Sequence, residues 1–252
     1  MTAHDGTGTG AGRREVALRA LSAARADDDV HDLPAVLQRI CRAATASLGL
    51  AGASVQLLNR PDGGGVVASS DDVAHTVGEA AFTAGEGPSL DAYSQARPVF
   101  APHLLDQGQH IWPGYVSAVR ESGIRACFSL PLHVGAVRLG VLELYGADPG
   151  PLDADQASLA LTFADLAVER LLDPDPGASA WDVNARLVDA LERRAEIHQA
   201  QGMVMVDLEV DLAGALSLMR AHAFSRDVSL LEVAREILAG GQLPSPDGSG
   251  AA

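Results

Sequence analysis

Hydrophobic positions first recur at a helical interval in DLPAVLQRICRAATASLGL, where Leu33, Val36, Leu37 and Ile40 share one face. Pro34 falls at the start of that run, where a helix tolerates it. The next segment, AGASVQLLNRPDGGG, predicts a strand over about 53–59, then a Pro/Asp/Gly turn and a second short strand in GVVASS. Together they predict a hairpin. Residues 71–82 are weakly helical, and TAGEGPSLDAYSQARPVF is a Gly/Pro loop running into a short helix. Another short helix is expected at 113–122. RACFSLPLHV and AVRLGVLELYG alternate in part, as strands with one covered face do, and meet at Val134–Gly135. A long helix closes the segment, with Leu159, Phe163, Leu166 and Leu171 along one side. Antiparallel strands bracketed by helices imply an α+β layer architecture.

The pattern changes after LLDPDPGASAWD, residues 171–182, whose prolines and glycine stop the preceding helix. Beyond it only helical periodicity remains. Val183, Leu187, Leu191, Ala195 and His198 lie near one face, widened by Ala190, Ile197 and Val204. Asp211 is placed to cap a second helix, LAGALSLMRAHAF. Ser229 with Glu232 predicts a capping box on a third, which Gly240 ends. The expected organisation is therefore an N-terminal extension at 1–30, disordered or partly helical, an α+β domain at 31–172 and a linker at 173–180. A three-helix domain at 181–240 and a disordered tail at 241–252 complete it. A three-helix unit this small has a thin core, so docking or dimerisation would help it.

Charge narrows the functional classes. The net charge is -15, and all 18 basic residues are Arg. Such a surface opposes non-specific binding to nucleic acid or to anionic membranes, so any such contact must be local. Even residues 181–240 carry more acidic residues than their Arg186, Arg193, Arg194, Arg220, Arg226 and Arg235. Arg193 and Arg194, with Arg186 and His198 on neighbouring turns, come nearest to a basic cluster; a solvated helix face explains them equally well. The lone Cys41 and Cys127 read as core residues in a reducing cytoplasm. No apolar run long enough for a membrane span or a signal peptide is present.

The catalytic and ligand-binding motifs are missing. GEGPS lacks phosphate-loop spacing, the eight histidines show no metal-ligand spacing, and there is no GxSxG. No enzyme, metal or cofactor is expected. Trp112 and Tyr115 flank Pro113–Gly114 and either wall a ligand pocket or form a core edge. In HQAQGMVMV, Gly202 either admits a close backbone or marks a bend, and Met203 and Met205 fill core gaps.

Residues 193–240 resemble the ANTAR domain, a three-helix output module of bacterial antiterminators. The matching positions in the first helix are Arg194, Ile197, Gln199, Ala200, Gly202, Met203 and Met205. Ala215, Met219, Arg220, Val233 and Ala234 match further on. Two positions depart: Gln201 stands where many members have Lys, and Leu216 where many have an aromatic residue. The resemblance implies hairpin RNA as partner, bound by a homodimer, and transcription antitermination as function. It points to Arg194, Gln201, Gly202 and Arg220 for RNA, with Arg193 and His198 next. Gly202 would act by close approach and the others by hydrogen bonding.

Residues 31–172 are similar to the GAF domain in the order helix, hairpin, GEGPSLDAYSQARPV, helix, GIRACFSLPL, RLGVLELYG, helix. That implies a sensor or dimerisation domain with a small-molecule ligand of unknown identity, or none. The combined expectation is a signal-responsive RNA-binding regulator. The alternative is a dimerisation or protein-interaction regulator whose output domain has lost RNA binding.

Overall fold

The computed structural model describes residues 10–23, 33–60, 63–172, 184–226, 228–241 and 243. The linker expected at 173–180 lies outside them, as do residues 1–9 and most of the tail. The first domain is built on five antiparallel strands in the order β2-β1-β5-β4-β3. These are β1 (Gly52–Arg60), β2 (Gly63–Ser69), β3 (Val99–Ala101), β4 (Ala126–Val134) and β5 (Val137–Gly146). Both predicted hairpins are present, and Val134 pairs with Val137 across the β4–β5 turn. The turn itself places Gly135 at φ +56.

One sheet face is covered by α2 (Leu33–Leu48) and α7 (Ala154–Leu172). Leu37, Ile40, Cys41, Ala44 and Leu48 of α2 are buried at the interval the sequence predicts. They pack with Phe163, Leu166 and Ala167 of α7 on Val55, Phe128, Leu130, Leu142 and Leu144. Helix α1 (Gly10–Ala23) occupies part of the N-terminal extension, for which helix and disorder were both open. It buries Ala17 and Leu21 against the same layer. Arg14 reaches Glu169 of α7 through two hydrogen bonds of 2.7 and 2.8 Å. Both side chains are nearly half exposed, so solvent screens the pair and it contributes little.

The opposite face carries α3 (Asp72–Ala84), α4 (Pro88–Gln95), α5 (Leu104–Ile111) and α6 (Pro113–Val119). Asp71 caps α3 by accepting from Ala74 N, and Gly85 ends it in the left-handed region at φ +72. Trp112 and Tyr115 are buried in this second core, so the core reading of that pair holds. Trp112 Nε1 donates to Asp91 of α4 at 3.1 Å. The sequence reading missed β3 and α5.

The second domain consists of α8 (Asn184–Leu208), α9 (Leu212–Arg226) and α10 (Leu230–Leu238). Ile197, Ala200 and Val204 of α8 meet Ala215, Met219 and Ala223 of α9 and Val233, Ala234 and Ile237 of α10. Asp211 accepts from Gly214 N at 2.7 Å, and the Ser229–Glu232 capping box is complete. One residue of the first domain, Phe82 of α3, belongs to this third core.

Candidate functional site

Two places bring chemistry together: the centre of the sheet, and the exposed sides of the three-helix domain. In the sheet, alternation puts Ser54 and Gln56 of β1, Cys127 and Ser129 of β4, and Glu143 and Tyr145 of β5 on one face. The register sets Glu143 directly between Ser54 and Ser129. Glu143 is fully buried. Ser129 Oγ donates to its Oε1 at 2.7 Å and Cys127 Sγ at 3.2 Å. Gln56 Nε2 and Tyr145 Oη each donate to Oε2 at 2.8 Å. All four donors are uncharged. Burial outweighs these bonds and raises the carboxyl above its ordinary titration range. Burial likewise pushes the Tyr145 and Cys127 acids well up.

Helices α4 and α6 close over this cluster with Ser89 and Tyr115, both fully buried. Among the described residues Ser89 Oγ has no hydrogen-bond partner. The sequence reading missed the whole network. Its signal was available: polar residues repeat at every second position in three neighbouring strands that otherwise read as core.

On the other side of the sheet Cys41 is buried and free, its thiol pushed up to about 12 by desolvation. Both cysteines are therefore core residues with little thiolate character. Among the described residues no helix is long and apolar enough to cross a membrane.

In the three-helix domain the residues singled out for RNA fall into three settings. Gln201, expected to reach out and hydrogen-bond a partner, is instead buried at 2% exposure. Its Nε2 donates to the Leu212 carbonyl at 2.7 Å and its Oε1 meets His198 Nδ1 at 3.1 Å. The side chain thus ties α8 to the start of α9 and orients His198, because a buried amide must be paired. His198 itself is exposed, and Gly202 is half-buried. A Cβ on Gly202 would meet nothing within 4 Å, so the chain's own packing does not require glycine there. Met205 packs on the third core as expected, whereas Met203 does not fill a core gap and is 36% exposed. The side chains of Arg193 and Arg194 lie outside the described residues.

Arg220 is half-buried and faces the first domain: a Cβ on Gly85 would lie 2.7 Å from its Cζ and Nη1. Two further arginines are engaged within the domain. Arg235 Nε pairs with Glu196 at 2.7 Å, joining α10 to α8, and Arg226 pairs with Glu236.

The fold defines a class of architecture, an α+β domain of five antiparallel strands followed by a small three-helix module. The comparisons with known proteins give it a family. The GAF domain profile matches residues 30–171 and the ANTAR domain profile matches residues 185–238. The chain belongs to the GAF domain family and carries an ANTAR domain after it. That makes it an RNA-binding regulator of the antitermination class with a signal-sensing domain. No curated protein matches the chain.

Among solved structures, the GAF domain of the Acinetobacter phosphoenolpyruvate-protein phosphotransferase is 13% identical, with a TM-score of 0.47. The match covers 66% of this chain and 94% of that one. The free methionine-R-sulfoxide reductase from Neisseria meningitidis, solved with its substrate, is 18% identical over 68% of this chain and 95% of its own, with a TM-score of 0.47. The chromophore-binding domain of a Stigmatella aurantiaca bacteriophytochrome is 11% identical over 68% and 63%, with a TM-score of 0.45.

Gly202 yields a first prediction. Glycine inside a helix costs about 1 kcal/mol relative to alanine. Since Cβ space is open, Gly202→Ala should stabilise the output domain by about that amount, measured by thermal unfolding. If the glycine serves a close approach by RNA or by a second chain, the same variant should bind more weakly. Improved stability with unchanged binding would remove Gly202 from the interface.

Proposed function

We propose that the protein binds hairpin RNA through α8–α10, as a homodimer, and regulates transcription antitermination in response to a signal sensed by the first domain. The observation that carries this reading is the ANTAR match at 185–238, whose motif positions run along α8, α9 and α10. Arg194, Arg193 and Arg220 are the proposed phosphate or base contacts, since a guanidinium binds phosphate bidentately and stacks on bases. His198 flanks them, and Gln201 positions His198 rather than touching RNA. Gly202, beside the exposed Met203 and Val206, supplies a surface without side-chain bulk for a second chain or for RNA.

Because Arg226 and Arg235 are held in ion pairs within the domain, few cations remain to grip RNA. Affinity should therefore fall only shallowly with salt, as a small number of phosphate contacts dictates. The test is recovery and sequencing of RNA bound to the full-length protein in cells, then gel shift with the recovered RNA. A hydrogen bond involving a charged group contributes about 1.5–3 kcal/mol. The doubly substituted Arg194→Ala, Arg220→Ala chain should therefore bind at least about a hundredfold more weakly. Weak hairpin binding that ignores both substitutions would sink the assignment and favour a protein-interaction role for the output domain.

A further inference from the structure

We infer that the sensory domain docks on the output domain of the same chain and masks it, with the C-terminal end of α3 as the latch. This rests on the RNA reading above for what is masked, but the docking itself does not. Phe82 is the aromatic anchor of the latch. It is 8% exposed, and the core it belongs to is that of the three-helix domain, among Ile197, Met219, Leu230 and their neighbours. An aromatic ring buried in another domain's core is an anchor of the kind that dominates interface energetics.

Three residues further on, Gly85 ends α3 in the left-handed region, and the Arg220 guanidinium lies directly over it. A side chain at position 85 would occupy the space of that guanidinium, so glycine serves the contact as well as the turn. One of the proposed RNA-contacting cations is thus turned towards the sensory domain.

Beyond the ring, α8 approaches β2 and α9 approaches α3. Gly64 and Gly65 of β2 and Glu79 of α3 face Ser229 and Leu231 across a cavity of about 40 Å³. Glu79 is occupied by β2 itself, accepting from Val66 N at 2.8 Å. The contact therefore combines one aromatic anchor, one masked arginine, the approach of α8 to β2 and an imperfectly filled margin. Such an interface suits a reversible equilibrium better than a permanent one. A signal that moves α3 shifts the population towards the undocked, RNA-competent chain.

The test uses the full-length chain with Phe82→Asp and, from the opposite wall, Leu231→Asp. Solution scattering reads docking; gel shift with the hairpin RNA recovered from cells reads unmasking. Thermal unfolding checks that both domains stay folded, and the second variant serves should the first fail to fold. Both variants should show a larger radius of gyration and bind RNA about 5–150-fold more tightly, the range of typical coupling between sites. Unchanged scattering in both folded variants would overturn the docking. Opened chains with wild-type affinity would overturn the masking and leave the RNA reading intact. Opened chains that bind no RNA would overturn the RNA reading, and masking with it, while docking stands.

Discussion

Replacing Glu143 with alanine should unfold the sensory domain, whereas replacing it with glutamine should make that domain more resistant to alkaline pH. Alanine removes the acceptor shared by Gln56, Ser129, Tyr145 and Cys127 at the centre of the sheet. Tyr145 keeps Ser54 as a partner at 2.8 Å, but Gln56 and Ser129 lose the carboxylate, and each buried polar group left unsatisfied costs about 1–3 kcal/mol. With the cavity left by the missing side chain, the loss reaches the lower end of a domain's whole stability, about 5–15 kcal/mol. Glutamine resembles the protonated acid: one oxygen still accepts, and the amide nitrogen donates to hydroxyls that can turn.

The pH dependence follows from the raised carboxyl of the folded state. The folded chain holds its proton where the unfolded chain releases it. The associated stability is fully present below the unfolded value, about 4.3, and is lost as pH rises through the raised folded value. Urea unfolding from pH 4 to 9 should show wild-type stability falling over that window, with Glu143→Gln nearly flat. A parallel fall in both proteins would mean that Glu143 does not govern it.

The second large effect is expected at Met219. It is fully buried at the junction of α8, α9 and α10. Removing such a side chain costs about 2–5 kcal/mol through lost burial and the cavity left behind. The three-helix unit has little core to spare. Met219→Ala should therefore melt the output domain on its own, at lower temperature, while the α+β domain keeps its transition. RNA binding should disappear together with the first transition, as read by circular dichroism and gel shift. A single unshifted melt would show that the helical unit is far more stable than its core implies.

What the sequence disclosed and what it hid have physical reasons. β1–β2 and β4–β5 were legible because a covered face imposes alternation and because Gly and Pro mark the turns. The caps at Asp211 and Ser229 were legible because their chemistry is local. β3 has three residues, too few to show a period. α5 joins Gly108 to several polar residues over eight positions, which masks its buried side. Glu143 was hidden because it sits in an apolar strand, and its meaning depends on partners 14 and 87 residues away. Gln201 was read as an outward group because helical periodicity does not show where α9 returns to accept its hydrogen bond. Arg220 reads in the sequence only as an RNA contact, because the surface it meets belongs to another domain.

The burial of Phe82 among residues of the three-helix core also bears on how copies of the chain can associate. Every copy carries both the ring and the core that receives it, so the contact that closes within one chain can equally form between two, by exchange of identical parts. What separates these outcomes is local concentration. A chain's own sensory and output domains are covalently joined, which favours the contact within one chain. Exchange between copies gains ground where chains are already held side by side, as in the proposed homodimer.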